Sequence, residues 1–431
     1  MTGARYHADQ ITTARALPAL ERAKKNGFDV TAGTSMHHLT LNEMDVADYR
    51  TFFKVKPPLR SEDDRQAVVE AVRSGLIDII GSFHTPQDEE SKRLPFEEAA
   101  SGAVGLETML PVLLRLYHSG ELDLPTLFRA PHAEPEGADI ALVGVPHSTG
   151  NGTTERDQHL GPRAVRNVSA LQRRAHGDFQ LDPWEAAHIV DAGDVPFPRA
   201  NNNEDCIARI TDFYRDIDAS GARPVSIGGD HSITGGIIQG LGRGKLAGGE
   251  KICFLHLDAH TDVFTTVDHF LGAEKSAAHW GAYTADQGLI DPSGSMQIGL
   301  RGHPRTLDWL QPSYDYGYNV VTMAEYRQRG ALDVIEQIKT VLAGRPVYIT
   351  FDLDCLDPSV APAVSNIEPG VNGFSIDEAV ALLHAVRGMN IIGGDVVCLM
   401  PTKDSPNQIT SMVAAAVMFE MIAMITENVK T

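Results

Sequence analysis

Three short segments, far apart in the 431-residue chain, each run from apolar residues straight into clustered Asp and His. In residues 251–262, KICFLHLDAHTD, the run Ile252, Cys253, Phe254, Leu255 leads to Asp258, His260 and Asp262, spaced two apart. Residues i, i+2 and i+4 of a strand share one side, so these side chains leave the strand's carboxyl end together. In open parallel sheets that end carries the site. Gly228-Gly229-Asp230-His231 follows the apolar stretch 224–227, and Asp352-Leu353-Asp354 follows 347–351. The three ends offer two His and five Asp. Structural zinc sites prefer Cys and His, so the set is too rich in carboxylate for one. It suits two harder divalent ions bridged by carboxylates. Capping Asp and satisfied His would explain one such cluster; three in register argue against that reading.

Composition narrows the partners. With 37 Lys and Arg against 57 Asp and Glu the net charge is −20, which excludes nucleic acid and an anionic membrane surface. Cys206, Cys253, Cys355 and Cys398 show no CxxC spacing, so a reducing, cytoplasmic location is expected. The opening MTGARYHADQ lacks an apolar signal core. No stretch is expected to cross a membrane: 412–425 is apolar but short, and reads as a packed C-terminal helix.

From Ala138 strand and helix alternate. Strands are expected at 140–145, 188–191, 224–227, 252–257, 296–300, 320–321, 347–351 and 391–397. Helices are expected at 161–171, 203–219, 332–342 and 376–387, after a polar, Gly-rich loop at 146–160. That alternation predicts an α/β fold with three layers, α/β/α, around a mostly parallel sheet. Residues 1–130 differ, with helices expected at 12–25, 61–74 and 106–117 and strands at 28–32 and 77–80. Residues 131–137 hold two Pro and a Gly. They read as the junction between a segment 1–130 and a domain 138–431.

The motifs GGDHS (228–232), DAHTD (258–262) and DLDCLDPSVAPA (352–363) resemble those of the ureohydrolase (arginase and agmatinase) superfamily. LVGVP (142–146), GPRAVR (161–166) and DVVCLMP (395–401) add to the resemblance, which runs in order over about 138–427. It implies the arginase-like three-layer fold and two divalent ions, Mn²⁺ or Ni²⁺. Asp258 and Asp352 would bridge them. His231 and Asp262 would complete one shell, His260 and Asp354 the other. Two close cations repel, so bridging anions are needed, and such a pair lowers the pKa of a shared water. Asp262 would also accept that water's proton. The resemblance places the general acid after DAHTD, where His279, followed by Trp280-Gly281, fits better than His269. Asp230 and Asp357 fit ligand-orienting roles, Asp357 equally a turn before Pro358. His256 points the same way as Asp258 but deeper, as a core histidine would.

Two departures bear on the substrate. Cys398 stands where the superfamily carries an acidic residue that pairs with the guanidinium, and a thiol is uncharged at neutral pH. Val364-Ser365-Asn366-Ile367 replaces Gly-Thr-Pro before Glu368. Cys398, Asn366 and Glu368 are therefore the expected substrate contacts, with Glu368 or Glu155 as candidates for the missing charge. The expected activity is binuclear hydrolysis of a C–N bond in a small cationic guanidine-type substrate. Guanidine, a guanidino acid such as guanidinobutyrate, or a biguanide such as metformin would give urea or a substituted urea plus amine or ammonia. A trimer or hexamer is implied. The competing reading is a non-catalytic subunit working with a paralogous partner; the intact ligand set weighs against it.

Residues 6–130, including ITTARALPALERAKKNGFDVTAGTSMHHLTLNE, resemble the C-terminal portion of a dihydroorotase. That portion lacks the family's early HxH metal pair, and TDHAPH appears as SFHTPQ at 82–87. His37, His38 and His84 are therefore expected to be relics. Part of a barrel leaves sheet edges unpaired, so 1–130 is expected to be a non-catalytic segment that either packs as an accessory or stays partly disordered.

Overall fold

The computed structural model of the protein describes residues 4–119, 121–122, 126–152, 155–265, 268–269, 272–304, 306–368 and 372–429. The chain forms two compact units, Met1–Leu124 and Pro125–Thr431.

In the first unit, three parallel strands, β1 (Tyr6–Ala8), β2 (Val30–Ser35) and β3 (Ile79–Gly81), lie in the order β1-β2-β3. Helices Leu17–Lys25, Glu62–Arg73 and Met109–His118 accompany them. Leu20, Ala32, Leu39, Val68 and Leu116 form a small core. Helix Glu62–Arg73 starts where Ser61 accepts from Asp64 N, with three acidic residues in its first turn, a favourable pairing with the helix dipole.

The division falls earlier than the 131–137 junction read from Pro and Gly content. Leu127, Phe128 and Ala130 are buried in the core of the second unit. Leu127 N donates to Asp191 Oδ2 (2.7 Å) and Phe128 N to Ser169 Oγ (2.9 Å). Burial and buried hydrogen bonds, not turn residues, set the boundary.

The second unit is built on eight strands. They are β4 (Ile140–Gly144), β5 (Ile189–Asp194), β6 (Arg223–Ile227), β7 (Cys253–Leu257), β8 (Met296–Leu300), β9 (Asn319–Thr322), β10 (Val347–Asp352) and β11 (Ile391–Val397). Their order is β5-β4-β6-β11-β10-β7-β8-β9, every pair parallel. Neighbouring strand residues feed opposite faces. Leu142, Leu255 and Ile349 join one core, whereas Val143, Phe254 and Tyr348 join the other. The second core is covered by helices Asn203–Ser220 and Ser232–Leu241, the first by Ala331–Leu342 and the C-terminal helix. Both faces are dry, so the strands read as nearly continuous apolar runs.

The C-terminal helix corrects one expectation. It spans Ile409–Val429, 21 residues, and is long and apolar enough to cross a membrane by length and composition. Within this unit 78% of its most apolar window is buried, where it packs on β6, β11 and helix Gly161–Ser169. A helix apolar on every side is a core helix in such a setting. The predicted helix 376–387 divides into Ile376–Leu383 and a 3-10 turn, His384–Val386.

The strands that precede the three Asp/His clusters, β6, β10 and β7, sit with β11 as four adjacent members of the sheet. Their carboxyl ends therefore open side by side.

Candidate metal centre

His231 leads into helix Ser232–Leu241 directly after β6. Asp258, His260 and Asp262 follow β7, and Asp352 closes β10. The backbone makes these placements tight. A Cβ at Gly229 would lie 1.6 Å from His147 O, so glycine permits the loop after β4 to lie against this turn. Asp262 takes a left-handed φ of 51°, a strained choice for a non-glycine residue. It is held there by Gly281 N on its carbonyl (3.0 Å) and Trp280 Nε1 on its Oδ2 (3.0 Å).

The side chains converge as two groups that share Asp258. His231 Nδ1 lies 2.9 Å from Asp258 Oδ2, 3.0 Å from Asp262 Oδ2 and 3.2 Å from Asp352 Oδ2. His260 Nδ1 lies 3.4 Å from Asp258 Oδ1 and 3.1 Å from Asp354 Oδ2. Asp258 thus turns one oxygen to each histidine. His231 Nδ1 is buried and makes no hydrogen bond of acceptable geometry despite three oxygens around it. Two ligands at right angles, each about 2.1 Å from one ion, are about 3.0 Å apart. The spacing is that of a ligand shell. Asp258, Asp262, Asp352 and Asp354 are buried, and their four charges equal those of two divalent ions. Without compensation such buried charges cost several kcal/mol each, in the range of ~3–5 kcal/mol.

The protonation preferences carry the same tension. Burial works against the imidazolium of His231, but Asp258, Asp262 and Asp352 outweigh it and raise its pKa well above the usual value. His260 is raised likewise, with burial opposed chiefly by Asp354 and Asp258. Burial pushes Asp258 up, yet His231, His256 and His260 hold it well below the carboxylate range. Burial and then Asp258 raise Asp262; burial and then Asp352 raise Asp354 well above its usual value.

Other sequence-predicted residues fall as follows. His279 sits one residue before Trp280, its Nδ1 2.8 Å from Ser276 Oγ. It lines a cavity of about 530 Å³ with Phe264, Asp268, His269, Glu274 and Asp286. His269 is buried, and its Nε2 lies 2.6 Å from Asn151 O. Cys398 is buried beside Asp352 and Ser365 in a left-handed conformation, φ 69°. Half-buried Asn366 follows the segment that bridges antiparallel to Leu399. Glu368 meets His260 Nε2 at 3.2 Å, and His260 holds its pKa below the usual range. Glu368 therefore serves the imidazole of His260. Glu155 is exposed and pairs with Lys403, the surface placement. Asp230 accepts from Gly150 N and Ser232 N, both 2.9 Å, so it ties the loop after β4 to the helix start. Asp357 accepts from Ser359 N and Oγ, the turn role.

His256 takes the satisfied core placement expected of it, two residues deeper than Asp258. It is buried, and its Nε2 lies 2.9 Å from Asp258 Oδ2 and its Nδ1 3.2 Å from Gln297 Nε2. Its period-two spacing to Asp258 was the available signal. Trp280 packs on both His231 and His256, with ring centroids 5.2 and 5.1 Å away, and nothing local in the sequence pointed to that.

Residues 138–424 match the arginase family. The chain belongs to the arginase family. A guanidinopropionase of Pseudomonas aeruginosa is 32% identical over 308 residues, covering 71% of this chain and 92% of the relative. The human mitochondrial guanidino acid hydrolase is 31% identical over 298 residues, covering 69% and 81%. Among solved structures, the proclavaminate amidino hydrolase of Streptomyces clavuligerus superposes with a TM-score of 0.65 at 29% identity, over 70% of this chain and 97% of its own. The second unit thus has the arginase-like α/β fold, and this arginase-family chain is a hydrolase of C–N bonds in guanidine-type linear amidines.

Proposed function

We propose that this arginase-family enzyme uses two divalent ions to hydrolyse a small guanidine-type substrate: guanidine, a guanidino acid or a biguanide. The observation that carries the reading is Asp258, which turns one carboxylate oxygen to His231 and the other to His260. His231 and Asp262 would hold one ion, His260 and Asp354 the second, and Asp258 and Asp352 would be shared between them. Mn²⁺ and Ni²⁺ both suit this mixture of carboxylate and imidazole. When bound, such a pair lowers the pKa of a water between the ions towards neutrality.

The chain's own groups supply the rest. Asp262 would take the water's proton, and Trp280 N–H fixes its Oδ2. The water oxygen adds to the guanidine carbon, the C–N bond breaks, and its electron pair leaves with the amine, which His279 protonates. Asp268, Glu274 and Asp286 line the same cavity as His279. Cys398, buried and uncharged, stands where a carboxylate would grip a compact guanidinium, so a substituted or delocalised cation fits better. The names of the relatives favour guanidino acids, and the neutral Cys398 favours a biguanide such as metformin. The four cysteines are free and buried, in keeping with a reducing cytoplasm, and we assign a trimer or hexamer as the working assembly.

The test is a panel of guanidine, 3-guanidinopropionate, 4-guanidinobutyrate, agmatine and metformin with Mn²⁺- and Ni²⁺-loaded protein. Urea and amine release are scored separately, and bound metal is counted. Turnover of one member with two ions per chain is expected. No turnover of any member, or turnover that survives complete chelation, sinks the proposal, and the former would favour a non-catalytic subunit.

A further inference from the structure

Asp395 lies mid-strand in β11, fully buried. A carboxylate in such a place is costly unless well partnered, yet its partners are all neutral hydroxyls. Thr350 Oγ1 lies 2.7 Å from Oδ1; Tyr348 OH and Thr234 Oγ1 lie 2.9 and 3.0 Å from Oδ2. An ionised carboxylate can only accept, so each hydroxyl commits its single proton to Asp395. Thr350 Oγ1 then has only lone pairs for its other neighbour, His231 Nε2, at 2.9 Å. His231 Nε2 must therefore carry the hydrogen, and in the neutral ring Nδ1 is bare. That bare nitrogen is the one set among the oxygens of Asp258, Asp262 and Asp352.

We infer that Asp395, acting through the Thr350 hydroxyl, is a positioning residue that fixes the tautomer of His231 so that Nδ1 is free to ligate a cation. The inference rests on the two-ion reading above. The chain Asp395–Thr350–His231 crosses from β11 through β10 to the end of β6. It thus links three adjacent strands by polar contacts at the depth where their ends open.

The variants Asp395→Asn, Thr350→Val and Thr350→Ser test it in the full-length protein. In Asp395→Asn the side chain can keep its oxygen on Tyr348 and Thr234 and turn its NH₂ to Thr350. Thr350 must then accept, its proton turns to His231, and Nδ1 acquires the hydrogen. Thr350→Val deletes the link at nearly constant volume; Thr350→Ser keeps the hydroxyl. Metal-free protein is titrated with Mn²⁺ by calorimetry. For one of the two ions, Kd is expected to rise about 10–100-fold in Asp395→Asn and Thr350→Val, with the other ion and Thr350→Ser within about threefold of wild type. A purely structural role predicts a lower Tm with both affinities unchanged, and would overturn the inference. So would an equal loss in Ser and Val. If Asp395→Asn does not fold, the Thr350 pair decides, provided that metal-free Val and Ser variants match in Tm. Wild type that binds no divalent ion defeats the two-ion reading and this one together; wild type that binds two while Asp395→Asn and Thr350→Val bind both with unchanged Kd defeats this one alone.

Discussion

Cys398→Glu puts a carboxylate where the thiol now stands. Cys398 follows β11 directly, and its N–H donates to Gly229 O at 2.8 Å, so the side chain enters at the same sheet edge as His231. Burial first, then Asp352 and Asp354, push the thiol pKa well above its usual value, so the native residue is neutral across the working pH range. The left-handed φ of 69° taxes Cys, Glu and Gln alike, at about 1–2 kcal/mol, and cancels in comparison. A hydrogen bond from a guanidinium to a carboxylate contributes about 1.5–3 kcal/mol. At about 1.4 kcal/mol per factor of ten, that is roughly 10–150-fold in kcat/KM. The quantity to measure is the ratio of kcat/KM for agmatine to that for metformin, in wild type, Cys398→Glu and Cys398→Gln. Glu should raise the ratio by about 10–100-fold and Gln by less than about threefold, because the added length is shared and the charge is not. A Glu variant that keeps two ions and a ratio within about twofold of wild type would show that position 398 does not face the substrate. The specificity reasoning would then be wrong.

Three further outcomes are expected. Asp258→Asn should lower bound metal from two ions per chain and abolish turnover together; wild-type turnover in that variant, or one ion in active wild type, would contradict the bridging role. Replacing His37, His38 and His84 by Ala should leave kcat unchanged, because all three imidazoles are committed within the first unit: His37 to Val104 O, His38 to Ser35, Pro57 and Pro58, His84 to the amides of Gly105 and Leu106. Calorimetry should instead show this unit unfolding earlier, by about 1–3 kcal/mol for each orphaned buried partner, and a large kcat loss with the fold intact would refute the reading. Glu420 is pushed up by burial, but His384 and His176, 2.7 and 2.9 Å away, outweigh this and hold its pKa low. A depressed carboxylate stabilises above its unfolded pKa, about 4.5, and the stability is lost as pH falls through the folded value. Urea midpoints should therefore favour wild type over Glu420→Gln at pH 7 and converge as pH falls below the unfolded value through the depressed folded one; a constant gap would count against it.

The Asp/His cluster was legible because its members come in short local patterns at the ends of apolar runs. Each cluster needs only strand geometry to place it, and parallel topology brings the ends together. The groups that orient those ligands were not legible. Glu368 reaches His260 across 108 residues of sequence, and Thr350 reaches His231 across 119. No periodicity records such a pairing. The length of the C-terminal helix was hidden for a different reason. Thr410 and Ser411 interrupt the apolar run at its start, yet both are buried, Thr410 Oγ1 accepting from Ala363 N and Ser411 Oγ donating to Asp404. Satisfied hydroxyls let the helix begin earlier than hydropathy suggests. Asp357 shows the converse: its local context, a turn, dictated its partners.

The order of synthesis gives the sheet a further property. β11, made after every other described strand of this sheet, is also an inner strand, lying between β6 and β10. Before it arrives, the nascent chain can form β5-β4-β6 and β10-β7-β8-β9 only as separate halves, each with a bare apolar edge. His231 belongs to one half, and all four aspartates of the cluster belong to the other. A chain that stalls or is clipped before residue 391 therefore keeps His231 apart from the four aspartates, although His260 already lies beside Asp258 and Asp354. The His231 side of the cluster can assemble only when β11 joins the two halves, so closing the sheet and completing the two-histidine centre are one event.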